Sequence, residues 1–166
     1  MPVTIVAMRR SVVTVSLATS LVLSFQAYAD TKSQCIDASE EAQQLRDEGK
    51  FRLSREKLLL CVRDVCPKPV KRECSAWLTA LDHDTPTLIF AARDRSGQDT
   101  SSVSVTLDGE RIATSLDGRP VMTDPGDHTV LFEMEGQPPI TERLVVRVGE
   151  QNRIISANFV PPPPPP

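Results

Sequence analysis

The hydrophobic positions follow two different periods. In the first half, Ile36, Ala38, Ala42 and Leu45, then Phe51, Leu53, Leu58, Cys61 and Val62, recur three and four residues apart. That is the spacing of a helix that buries one face. Gly49 interrupts the pattern, with Lys50 beside it as a last-turn cation, which is the chemistry of a helix C-terminus. The pattern predicts one helix over about Ser33–Glu48 and a second over about Arg52–Val65. Pro67 suits the first turn of a third helix striped by Val70, Cys74, Trp77, Leu78 and Leu81, with Cys66 near its N-cap.

After Asp84-Thr85-Pro86 the period becomes two. Thr87–Arg93 is a short run of strand formers. Val103, Val105 and Leu107 alternate with Ser102, Ser104 and Thr106, as in a half-buried strand. Val130-Phe132-Met134, Leu144-Val146-Val148 and Ile155-Ala157-Phe159 repeat the alternation. Turn signals separate these runs. Asp108-Gly109 reads as a type I′ hairpin, Asp117-Gly118 as a second turn, and Asp124-Pro125-Gly126-Asp127 as a type II turn. Gly136–Pro139 and Gly149–Asn152 read as the closings of two further hairpins. About six or seven strands with no helix among them predict a small antiparallel β-sandwich. The fold class expected is α+β.

The N-terminus has a different character. Arg9-Arg10 lead into the apolar run Ser11–Phe25 and then Ala27-Tyr28-Ala29. A basic start, a greasy middle and a small-x-small site are the parts of a secretory signal. The run, about 15 residues long, is short for a membrane span of about 20. Cleavage is expected between Ala29 and Asp30, with translation starting at Met1 or at Met8, so the chain is expected in the periplasm or outside the cell. At the other end, Pro161–Pro166 form a polyproline run, a stiff rod of about 19 Å. It is read as a spacer or tail.

Export changes the charge. Two of the 19 cations, Arg9 and Arg10, leave with the signal while all 22 carboxylates stay, so the formal net charge moves from −3 to −5. An acidic chain without clustered cations is a poor match for phosphate backbones, so no nucleic acid is expected as a partner. After cleavage the aromatic residues are Phe51, Trp77, Phe90, Phe132 and Phe159. That is barely enough for a core, with little left for stacking on sugars or bases.

All four cysteines, Cys35, Cys61, Cys66 and Cys74, lie in the helical half. In an exported segment this short they read as two disulfides. Cys66 and Cys74 would sit about 12 Å apart by helix rise, beyond the roughly 7 Å reach of a bridge. Antiparallel packing brings the start of the first helix beside the end of the second. This favours Cys35–Cys66 with Cys61–Cys74; Cys35–Cys74 with Cys61–Cys66 stays open. The spacing Cys61-x4-Cys66-x7-Cys74 lacks the paired C-x2-C of a zinc site, and no C-x-x-C redox pair is present. No lipobox precedes Cys35.

The stretch Val103–Phe159 resembles a PEGA domain, a small β module of bacterial envelope and surface proteins. The matching residues are V-S-V-T-L-D-G at Val103–Gly109, D-P-G-D-H-T-V at Asp124–Val130, and V-V-R-V-G-E at Val145–Glu150. The insert Arg111–Thr123, with a second L-D-G, is longer than the family pattern. The resemblance implies a non-catalytic extracytoplasmic module. Ala42, Leu45, Gly49, Leu58, Cys61 and Pro67 are similar in offset to one tetratricopeptide-type hairpin, with Ser54 where a small Ala is usual. A single such repeat cannot bury its own apolar face.

Few residues offer chemistry. Asp82-His83-Asp84 is the one clustered titratable triplet, at a predicted helix end where a His simply suits the dipole. His128 belongs to the Pro-Gly-x-His turn, and its ring is expected to hydrogen-bond locally. Asp94, Ser96 and Asp99 could offer three oxygens to an ion such as calcium, but without EF-hand order and with Arg95 opposing, the segment reads first as a solvated hairpin loop. Lys68–Arg72 reads as a solvated helix face beside Asp64 and Glu73. No nucleophile or phosphate-loop motif accompanies these residues, so no catalytic residue, metal or cofactor is expected.

The reading is therefore a signal at 1–29, a disulfide-stapled helical unit at 30–84, a PEGA-like β-sandwich at 86–160 and a tail at 161–166. The expected role is a non-enzymatic module of the bacterial cell envelope that contacts protein or cell-wall components. It would meet the membrane only through the transient signal or an anchor beyond the tail. The alternative is a secreted protein that binds calcium or a small ligand.

Overall fold

The computed structural model describes residues 19–160, with side chains from Thr31 onward. Arg9-Arg10, the start of the apolar run and the polyproline tail lie outside the described residues. Three helices come first: α1 (Thr19–Asp47), α2 (Phe51–Cys61) and α3 (Lys68–Asp84). The described strands follow: β1 (Thr87–Arg93), β2 (Ser104–Leu107), β3 (Glu110–Ala113), β4 (Val121–Met122), β5 (Gly126–Glu133), β6 (Ile140–Val146) and β7 (Arg153–Asn158). Among the described residues no helix is long and apolar enough to cross a membrane.

The helices differ in detail from the expected ones. The backbone of α1 runs back to Thr19, continuous through the cleavage segment Ala27–Asp30. Helix α2 ends at Cys61, not Val65. Pro67 has no N–H and favours an extended conformation in the residue before it. The chain from Val62 to Cys66 therefore turns, closed by the Cys66 N–H on the Arg63 carbonyl at 3.0 Å. Pro67 takes the N-cap position of α3 and Pro69 lies in its first turn. The buried face of α2 is Phe51, Ser54, Leu58 and Cys61, whereas Leu53 is 46% exposed. Ser54 lies on the inner face because its hydroxyl donates to the Ala42 carbonyl at 2.7 Å, satisfying a buried polar group where the two helices meet closely.

Two disulfides close this unit. Cys35–Cys66 ties α1 to the turn before α3, and Cys61–Cys74 ties α2 to α3, with Cα separations of 5.7 and 6.1 Å. No cysteine is free. Around them pack Ala38, Ala42, Phe51, Leu58 and Leu81, with Val62, Val70, Trp77 and Leu78 partly buried. The two bridges suit an oxidising, exported environment.

The strands form two sheets, in the orders β4-β1-β7 and β3-β2-β5-β6. They share one core, with Leu88, Phe90, Ala92, Ile155 and Ala157 from the first facing Val105, Leu107, Val130, Phe132 and Val146 from the second. The Phe90 and Phe132 rings meet edge to face at 6.0 Å, a favoured aromatic geometry. The four-stranded sheet is antiparallel throughout. The three-stranded sheet is mixed, because β7 runs parallel to β1 from Leu88↔Arg153 to Arg93↔Asn158. This corrects the expectation of an all-antiparallel sandwich, and of a hairpin at Gly149–Asn152. That turn passes between sheets. It is pinned to the end of α3 by Gly149 N–H on the Asp84 carbonyl (2.7 Å) and to the start of β1 by Thr87 N–H on the Glu150 carbonyl (3.0 Å). Strand β7 must then start beside the start of β1 and run in the same direction.

The turns follow residue chemistry. Asp108 and Gly109 have φ of 50° and 87°, the two positive values that a type I′ hairpin needs. At Asp124–Asp127, Gly126 has φ 128° and already belongs to β5, so the segment leads directly into a strand.

Loop closure makes the bridges unequal in their expected effect. Cys35–Cys66 spans 31 residues and Cys61–Cys74 spans 13, which corresponds to about 4 and about 3 kcal/mol of unfolded-chain entropy. Replacing Cys35 and Cys66 by Ala is expected to lower stability by about 1 kcal/mol more than replacing Cys61 and Cys74. Urea unfolding followed by circular dichroism measures the difference.

Candidate functional site

The sequence-predicted candidates are dispersed. Asp82 Oδ1 takes the Arg55 Nε–H of α2 at 2.7 Å. The His83 side chain is 87% exposed, with its ring 3.1 Å from the neighbouring Asp84 carboxylate. The triplet therefore ends a helix and does not assemble a proton relay. In the β1–β2 loop, Asp94 Oδ1 accepts from Ser96 N–H (2.8 Å), Ser96 Oγ–H (2.7 Å) and Gln98 N–H (3.1 Å). These bonds, the Ser96 hydroxyl first, hold the Asp94 carboxyl below its ordinary range. Asp99 instead lies 3.4 Å from Arg93 Nε. Asp94 and Ser96 thus meet in a self-closing Asx turn, while Asp99 pairs elsewhere. Among the described residues no three His, Cys, Asp or Glu side chains are placed to hold a metal ion. In the basic stretch, Lys71 lies 2.8 Å from Asp64 and lowers the pKa of that carboxyl.

An open groove of about 710 Å³ includes Arg111, Ser115, Asp117 and Arg119. Its two arginines are already paired, Arg111 with Glu133 at 3.2 Å and Arg119 with Asp117 at 2.6 Å. Pairing leaves the groove little net charge with which to select a ligand.

The densest polar construction lies where the helical unit meets the sheets, along two seams. At the first, the α1–α2 turn approaches Pro125, whose Cγ would stand 3.9 Å from a Cβ on Gly49. Gly49 has φ 76°, a left-handed conformation that ends α1. The N-cap position of α2 is Lys50, which caps nothing. The cap comes from 72 residues away: Asp124 Oδ1 accepts the Arg52 N–H at 2.7 Å. A carboxylate there satisfies an orphan donor and complements the positive end of the helix. The Arg52 guanidinium reaches Glu110 of β3 at 3.7 Å.

His128 underpins this cap. Its Nε2 lies 2.8 Å from the Asp124 carbonyl oxygen and its Nδ1 lies 2.6 Å from Asp108 Oδ2. Asp108 in turn accepts the Thr129 N–H at 2.8 Å on its other oxygen. Burial acts to raise the Asp108 pKa, but the Thr129 N–H and the His128 ring outweigh it, so the carboxyl titrates below the ordinary range. The ring therefore hydrogen-bonds locally, as the turn pattern suggested, and also across 20 residues to the β2–β3 hairpin.

The second seam lies at the C-terminal end of α3. Gln151 Nε2–H donates to the Thr85 carbonyl at 2.7 Å, and Asn152 N–H donates to Thr87 Oγ1 at 2.8 Å. Sequence reading missed Asp124, Arg52 and Gln151 because each acts on a partner more than sixty positions away. The only local signal was the Asp-Pro-Gly-Asp-His spacing, and it pointed to a turn.

No protein-family model matches the chain, and no curated protein matches it.

The Asp108 geometry has a pH consequence with a definite sign. A depressed folded-state pKa stabilises above the ordinary carboxylate range and loses that contribution as pH falls through it. Asp108→Asn tolerates the left-handed backbone but removes the charge. It is expected to cost about 1 kcal/mol at neutral pH, half-exposure having reduced the full value. The gap to the parent should close on acidification towards about pH 3. Thermal melts of both proteins across that range check it.

Proposed function

We propose that this chain is a non-enzymatic, exported structural and interaction module of the bacterial cell envelope, working in the periplasm or outside the cell. Its helical unit is a covalently stapled support, and its two-sheet unit is a PEGA-like sandwich that presents a docking edge. Its partner is a protein or other cell-envelope component.

The observation that carries this reading is the contrast between the two sheet edges on one side of the β unit. Strand β6 is guarded: Glu142 and Arg143 are exposed on it, and Arg153 Nη1–H donates to the Val145 carbonyl at 2.7 Å. Charged residues and covered carbonyls are the usual protections of an edge strand. Strand β7 is an edge as well, yet from Ile154 to Asn158 it carries no charge, and Ile154 is 65% exposed. Val145 and Val148 nearby are 60% and 57% exposed. An edge without charge, exposing Ile154 beside Ser156 and Asn158, supports recruitment of an extended segment by strand addition.

Support for the compartment comes from the two disulfides together with the Arg-Arg, apolar and Ala-x-Ala order of the first residues. The PEGA reading rests on Val103–Gly109, Asp124–Val130 and Val145–Glu150.

Co-sedimentation with the isolated envelope fraction tests the reading. The disulfide-bonded protein is expected to pellet with the envelope and Ile154→Lys to stay largely in solution, a loss of about tenfold or more in binding. Equal retention of both proteins would remove β7 as the docking edge. Substrate turnover that is abolished by changing Asp82, His83 or His128 would overturn the non-enzymatic reading.

A further inference from the structure

Among the described residues, both ring nitrogens of His128 face oxygens and neither faces a donor. The side chain is 9% exposed. Nε2 faces the Asp124 carbonyl oxygen, which only accepts, so Nε2 carries a hydrogen. Nδ1 faces Asp108 Oδ2 at 2.6 Å. The Thr129 N–H on the other oxygen keeps that carboxyl ionised, and an ionised carboxylate only accepts as well. Both contacts are made together only by the doubly protonated, positively charged ring.

We propose that His128 is a proton-operated latch between the two units. Charged, it ties the β2–β3 turn to the Asp124 backbone and holds the Asp124 carboxylate on the N-terminus of α2. Neutral, it points a lone pair at an oxygen, loses one of its two bonds and frees the segment that carries the cap.

The charged groups around it are accounted for element by element. The β2–β3 turn supplies Asp108, the segment before β5 supplies Asp124, and β5 itself supplies Asp127. From β6, Arg143 lines the same shallow depression as Asp127 and His128. From α2, Arg52 is directed to Glu110 of β3, and in the α1–α2 turn Lys50 is paired with Glu48 at 2.7 Å. The carboxylate in contact with the ring is Asp108, so the latch closes on that pair.

The direction of the pH response follows. The ring makes both contacts only while it is charged, so alkalinisation opens the latch. Asp108 works in the opposite sense and fails on strong acidification.

The test is amide hydrogen exchange at Arg52 in the disulfide-bonded protein between about pH 5 and 9, corrected for intrinsic exchange. Protection of the Arg52 N–H is expected to fall about tenfold or more in a single proton step. The His128 ring resonances should titrate with the same midpoint. In His128→Gln the step should be absent, and in Asp124→Ala the amide should be unprotected throughout. A flat profile in the parent protein, or an unchanged step in His128→Gln, overturns the latch. Should His128→Gln fail to fold, the parent decides alone: coincident midpoints support the latch, and separate midpoints overturn it.

Discussion

The helical half of this protein depends on sulfur. Its buried apolar residues are few: two alanines, Phe51, Leu58 and Leu81 beside the bridges themselves. Three helices with so little apolar area to bury cannot offset the entropy of ordering some fifty residues by packing alone. Cys35–Cys66 and Cys61–Cys74 shift the balance by restricting the unfolded chain. They also fix α1 and α3 on either side of α2. The rest of the architecture uses that fixed frame, because the β unit docks on the α1–α2 turn and on the end of α3.

The two units keep separate cores, and polar bonds join them. This division explains why the seams are built with such care. An apolar interface would tolerate small displacements, whereas a carboxylate capping a helix from 72 positions away must be held in place. His128, Asp108 and the Thr129 N–H hold it at one seam, and Gln151 with the Asp84–Thr87 backbone holds the other. A module fastened at two points keeps its β unit in a constant orientation relative to its helices, which the proposed docking role requires.

Much of the local structure was legible in the residues. The Val103-Val105-Leu107 alternation became a buried face, and Asp108-Gly109 adopted the positive φ values that its turn type requires. The preferred cysteine pairing is the one that the helices bring together. Legibility failed where the deciding contact was distant. Leu53 matched the helical period, but Ser54 took the inner face because the close approach to Ala42 needed a small side chain with a hydroxyl. The direction of β7 was set by the Gly149 bond to the end of α3 and the Glu150 bond to the start of β1, which alternation along the strand does not encode. Asp94, Ser96 and Asp99 offered a weak ion-site alternative to a plain solvated loop, and the Asp94 and Ser96 side chains in fact close their own loop.

The central claim is that this chain matures where thiols oxidise and that its four sulfur atoms are structural. Alkylation of the protein taken directly from its native cells, followed by intact mass measurement, tests it most directly. The account predicts a species that begins at Asp30 and takes up no alkylating reagent until it is reduced. A cytosolic species retaining Arg9-Arg10, with all four cysteines alkylated at once, would contradict it.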